Sequence, residues 1–155
     1  MTKQYMARGS SWGDAADLVG RVLLTAFFII FGFLKITGYA GFAKYMESKG
    51  VPSVLLPLVI ATELGCGFAL LLGWRTRVAA FLLAGFALLS NLIFHPALSD
   101  MTGQIIVLAE LATAGGLLVL TAHGAGGWSL DARRTAQQSV LTVSGANAYA
   151  TTSHS

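Results

Sequence analysis

Residues 31–52 read FGFLKITGYAGFAKYMESKGVP. An apolar run is cut by one charge, Lys35. A half-polar segment with three aromatics, Tyr39, Phe42 and Tyr45, then leads into Gly50-Val51-Pro52. The preceding stretch, LVGRVLLTAFFIIF (residues 18–31), is apolar apart from Gly20, Arg21 and Thr25. Together these stretches have the form of a membrane-spanning helix that runs out into an interface. The chain has 155 residues, 55% of them hydrophobic and 11% charged. Soluble domains carry roughly 25% charged residues, and a chain this short and apolar cannot hide so much surface in one water-soluble core.

Working outward, a hydrocarbon core of about 30 Å needs about 20 apolar residues in a helix. Four stretches qualify: Leu18–Ile36, Val54–Gly73, Arg77–Phe94 and Gly103–Ala122. The turns GWRTR (residues 73–77) and HPALSDMTG (residues 95–103) are short, which makes neighbouring helices antiparallel. The expected fold is all-α: a transmembrane antiparallel four-helix bundle, with a short interfacial helix after the first span and an extended C-terminal tail. The expected divisions are an N-terminal cytoplasmic arm (1–17), the four-helix domain (18–123) and a cytoplasmic tail (124–155). The first apolar run is too long for a cleaved signal peptide.

The basic residues set the expected orientation. Lys3, Arg8, Arg21, Arg75, Arg77, Arg133 and Arg134 fall on one side, and Lys35, Lys44 and Lys49 on the other. That asymmetry leads to the expectation that both termini lie in the cytoplasm. The formal charge of +3 is accounted for by basic residues beside the spans, so no nucleic-acid partner is implied; the expected partner is membrane lipid. Residues 39–49 place Phe42, Tyr45 and Met46 on one helical face opposite Lys44, Glu47 and Ser48. This segment reads as an interfacial anchor through Phe42 and Tyr45, or alternatively as a lid over a site in the bundle. Trp128 reads as a further interfacial anchor. The polar segment after it lacks helical periodicity and is expected to be disordered alone and ordered by another chain.

The order of several elements resembles the DoxX family of small four-span bacterial membrane proteins. GRVLLTAFFIIFGFLKI is similar to its first span, and GFAKYMESKGVP to the segment that follows. ATELGCGFALLLGWRTRVAA resembles its second span and turn, and LIFHP and AGGLLVL…GGWSLD its remainder. The likeness runs from Gly20 to Asp131. Glu110 departs from the usually apolar fourth span. The resemblance implies a four-helix bundle, and links to quinone-dependent oxidation of sulfur compounds and to membrane assemblies of oxidoreductases.

Charges inside spans cost roughly 2.5–3.5 kcal/mol each on the insertion scale, so they face the bundle and have partners. Arg21, Thr25, Phe28, Gly32 and Lys35 share one helical face. Arg21, a structural membrane charge, lies near the inner end and can snorkel to the headgroups. Lys35 lies about a turn below the outer surface, within reach of a carboxylate. Glu63 and Glu110 sit about ten and about eight residues into the second and fourth spans. His95 ends the third span, with Asn91 one turn below it. Lys35, Glu63, Asn91, His95 and Glu110 can therefore converge in the outer half as quinone or proton-site candidates, with Phe28, Phe31 and Phe33 supplying an apolar slot. Alternatively, Lys35–Glu63 is a pair that fixes helix register, and His95 an interfacial residue before Pro96. One lysine cannot neutralise two carboxylates, so Glu110 is expected to be neutral or bound to something else.

Metal chemistry finds no support. His95 and His123 fall at opposite ends of the bundle, and HExxH, CxxC and phosphate-cradling glycine patterns are absent from the sequence. Nor does a nucleophile–base pair appear. The expected function is thus a membrane subunit of a larger redox or respiratory assembly, not an enzyme on its own. The subunit binds no cofactor alone, either contributes to a shared quinone site or acts as a scaffold without quinone contact, and meets its partner subunits partly through the C-terminal tail. The alternative is a small proton- or cation-conducting channel or carrier acting as an oligomer.

Overall fold

The computed structural model describes residues 11–94 and 101–152. His95, the turn through Pro96 and Asp100, Lys3 and Arg8 lie outside the described residues. Among the described residues six α-helices follow one another: α1 (Ser11–Thr37), α2 (Tyr39–Ser48), α3 (Leu56–Leu72), α4 (Thr76–Phe94), α5 (Met101–His123) and α6 (Leu130–Thr152). A 3₁₀ turn, Ser53–Leu55, leads into α3.

Four of these helices are long and apolar enough to cross a membrane: Trp12–Thr37, Ser53–Leu72, Thr76–Phe94 and Met101–His123, with mean hydropathies of 1.9 to 2.1. Their outward faces carry large apolar side chains, among them Leu58, Leu92 and Leu108. In water such a surface would aggregate; in a bilayer it is the solvated face. The first span begins earlier than its apolar run suggests, since residues 11–17 of the expected arm are already helical.

α1 packs on α3 and α4 on α5, while α3 and α4 join the two pairs and α1 and α5 scarcely touch. The core is compact and small-residue rich. Phe28, Leu70, Leu83 and Leu117 fill it around Ala79, Ala80, Ala84, Ala87 and Ala114. The alanines on α4 let α5 approach closely, which is the main source of attraction between helices already surrounded by lipid.

Glycines fix the turns. After α2, Gly50 adopts φ +76; its N–H donates to Glu47 O, and the Val51 N–H to Met46 O. This left-handed cap stops the helix and turns the chain into Pro52. Gly73 at φ +67 ends α3 in the same way, with the Trp74 N–H donating to Ala69 O at 2.8 Å.

The expected extended tail is not what forms: residues 130–152 are helical. The absence of an apolar face does not prevent a helix here. Ser129 caps α6 by accepting the Ala132 N–H at 3.1 Å, and Asp131 favours its first turn. The following alanines, arginines and glutamines are good helix formers. Without an apolar stripe the helix has nothing to bury, and residues 133–139 are all exposed.

Candidate functional site

The site lies at the end of the bundle where α1 stops. Lys35, in the last turn of α1, donates to both Glu63 oxygens, at 2.7 and 2.8 Å. The Glu63 side chain is 4% exposed and that of Lys35 is 15%, so a short two-pronged pair sits in a low-dielectric interior. Gly32 makes this possible. A Cβ there would run into Leu64 at 2.6 Å and come within 3.6 Å of Glu63 Cβ. With no side chain at Gly32, α1 and α3 close up one turn below Lys35. The lysine then meets the carboxylate across the helix interface. Its ammonium also lies 5.6 Å from the Phe31 ring centroid and 5.5 Å from that of Phe42, which adds cation–π stabilisation.

A cavity of about 540 Å³ opens beside the pair. Lys35, Glu63 and Glu110 lie on its wall, together with Phe27, Phe28, Phe31 and Phe86. α2 roofs it with Phe42, Tyr45 and Met46. Met46 is buried, and Tyr45 stacks on Phe94 of α4 with centroids 5.5 Å apart. Phe42 and Tyr45 thus line the cavity, while Tyr45 stays 44% exposed. Phe33 is half exposed and does not line the cavity; Phe27 and Phe86, which the sequence did not single out, do so.

Asn91 is buried but stands off the cavity, its Nδ2 donating to Val107 O of α5 at 3.2 Å. It ties α4 to α5 instead of facing a ligand. Of the five sequence candidates, Lys35, Glu63 and Glu110 are therefore brought together, Asn91 sits behind the wall, and His95 is outside the described residues.

The other end of the bundle is a polar knot. Arg21 does not reach out to headgroups: it is 1% exposed. Its Nη2 donates to Trp128 O at 2.6 Å, and Nη1 makes a longer contact of 3.5 Å to Leu70 O. The α5–α6 connector folds back over this end and captures the guanidinium before it can extend. Asp14 accepts the Gly127 N–H at 2.8 Å. Trp128 remains half exposed. Asp131 caps a helix to which it does not belong: its two oxygens accept the N–H groups of Arg75 and Thr76, both at 2.8 Å. Arg75 itself has φ 45, a left-handed turn conformation that these bonds hold in place. Partial burial pushes the Asp131 carboxyl up. The Thr76 and Arg75 N–H bonds and the Arg134 charge outweigh it, leaving the group below its ordinary value of 3.8. The motif GWSLD carries a visible cap in Ser129, but nothing local to it names Arg75 and Thr76 as partners.

The DoxX family model matches residues 16–96, a stretch that contains Arg21, Lys35 and Glu63 and stops before Glu110. The chain is 43% identical over 118 residues to the inner membrane protein YqjF of Escherichia coli (strain K12), covering 76% of this chain and 91% of that protein. It is 35% identical over 124 residues to the inner membrane protein YphA of the same strain, covering 75% of this chain and 88% of that protein. No solved structure matches. A bundle of four apolar helices with these relatives along most of its length makes this chain a member of the DoxX family of membrane proteins.

Proposed function

We propose that this chain is an inner-membrane subunit of a larger bacterial redox assembly, and that its cavity gives a quinone-class molecule a site beside Lys35 and Glu63. The single observation behind this reading is the cavity itself. It joins an aromatic, almost wholly apolar lining to one ammonium and two carboxyl groups. Its volume of about 540 Å³ is within the range of small-molecule sites, about 300–1,000 Å³. A quinone ring suits the space between the phenyl groups, and a quinone oxygen suits the Lys35 ammonium as hydrogen-bond acceptor. A bound quinone supplies two-electron, two-proton chemistry. The Glu63 and Glu110 carboxyls stand where protons would be held or passed on. In this reading electrons come from a partner subunit. Helix α6, bonded to the α3–α4 turn through Asp131 and exposed over residues 133–139, suits the role of contact with that partner. Both termini lie in the cytoplasm in this reading, with Arg21, Arg75, Arg77, Arg133 and Arg134 at the cytoplasmic end.

Purification in a mild detergent tests the assembly. Haem- or flavin-carrying companions are the expected result, together with quenching of intrinsic fluorescence by added quinone that is lost in Lys35→Met. A homo-oligomer without such companions that conducts protons or cations in liposomes would overturn the redox reading in favour of transport.

A further inference from the structure

The cavity reaches the surface sideways. Leu58 on α3 and Leu89 on α4 both line it, yet they are 64% and 57% exposed. A side chain can be both only at a rim. Leu58 and Thr62 share one stripe of α3, which Leu55 of the preceding 3₁₀ turn continues, and Phe86, Leu89 and Ile93 share one stripe of α4; all six line the cavity. The turn that joins the two helices, around Gly73 and Arg75, is at the far end of the bundle. The axial route from water is roofed by α2, where Met46 is buried and Tyr45 stacks on Phe94. A second rim lies between α1 and α5, at Phe31 and Ile106. These two residues are less exposed, at 39% and 38%. That rim also carries Glu110 one turn along α5 from Ile106, and a carboxyl group is a poor neighbour for a hydrocarbon chain.

We infer that the cavity is loaded from within the bilayer through the seam between α3 and α4, by a ligand with one long apolar tail that stays in that seam while its polar head meets Lys35 and Glu63. This rests on the reading of the cavity as a quinone-class site, and adds to it the route and the tail. The leucine rim offers the tail contacts equivalent to those of lipid, so the tail stays solvated while only the head is transferred into the protein. A head without a tail gains nothing from the seam.

The test uses the full chain in lipid nanodiscs and two probes, a benzoquinone with a decyl tail and the same ring without it. A photoreactive benzophenone side chain is placed at position 58, 89 or 106, or at Leu82, which faces outward and does not line the cavity. The tailed probe is expected to be captured at 58 and 89 and not at 82 or 106. The pair Leu58→Trp with Leu89→Trp should slow loading of the tailed probe by about tenfold, within the range over which association rates vary among variants of one site, while Leu82→Trp should leave it unchanged, and the tail-less ring should bind the unaltered chain more weakly than the tailed probe. Capture at 106 in place of 58 and 89, unchanged loading in the double variant, or equal affinity for the two probes would overturn the route and the tail while leaving the quinone reading intact. Failure of both probes to bind the unaltered chain would overturn both.

Discussion

Lys35 Nζ lies 2.7 and 2.8 Å from the two carboxylate oxygens of Glu63, across the α1–α3 interface and out of water. Breaking such a pair from one side strands a charge in low dielectric, a cost on the order of 3 kcal/mol. Removing both charges avoids it. Lys35→Met alone should therefore lower the detergent concentration that unfolds the protein more than Lys35→Met combined with Glu63→Gln. Equal losses in the two variants would show that the pair has no buried partner dependence.

Asp131 gives a pH dependence of definite sign. Its folded carboxyl titrates below the ordinary value of 3.8, so the bonds to Arg75 and Thr76 contribute fully above that value. The contribution fades as pH falls through the lower folded value. Asp131→Asn keeps an acceptor for only one of the two N–H groups. It should cost about 1 kcal/mol, as loss of a helix cap does, and flatten the stability profile at acid pH. A variant with an unchanged profile between neutral pH and pH 3 would contradict the trans-cap.

Gly73 combines a left-handed backbone with a crowded setting. A Cβ there would meet the Arg21 guanidinium and the Ser129 backbone. Gly73→Ala should destabilise by more than about 1 kcal/mol. Gly73→Asn, which usually tolerates this backbone, should fare no better, because the clash with Arg21 remains. Thermal unfolding in detergent compares the two. A well-tolerated asparagine would mean that the backbone conformation is the only requirement at this position.

Orientation is open to cysteine labelling in intact cells, after Cys66 is replaced by alanine. The distribution of basic residues predicts that an impermeant reagent reaches Glu47→Cys in α2 and not Ser139→Cys in α6. The reverse pattern would turn the bundle over and place the roofed cavity on the cytoplasmic side.

Sequence alone determined the four spans, the short helix after the first and the pairing of Lys35 with Glu63. These follow from one-dimensional quantities: length of apolar run, helical spacing, and the depth of a charge that must find its opposite. It also brought Glu110 to the same end. It misjudged α6, because hydrophobic periodicity reports packing and not helicity, and residues 133–139 of α6 are exposed. It sent Arg21 outward, since a long side chain near a span end can reach headgroups and no local pattern reveals a connector folded across it. The cavity and the bonds from Asp131 to Arg75 and Thr76 belong to the tertiary structure alone. Each depends on contacts between segments far apart in the chain. The Asp131 bonds link residues 55 and 56 positions apart, and only the closing of α1 on α3 and the return of the α5–α6 connector bring these groups within hydrogen-bonding distance.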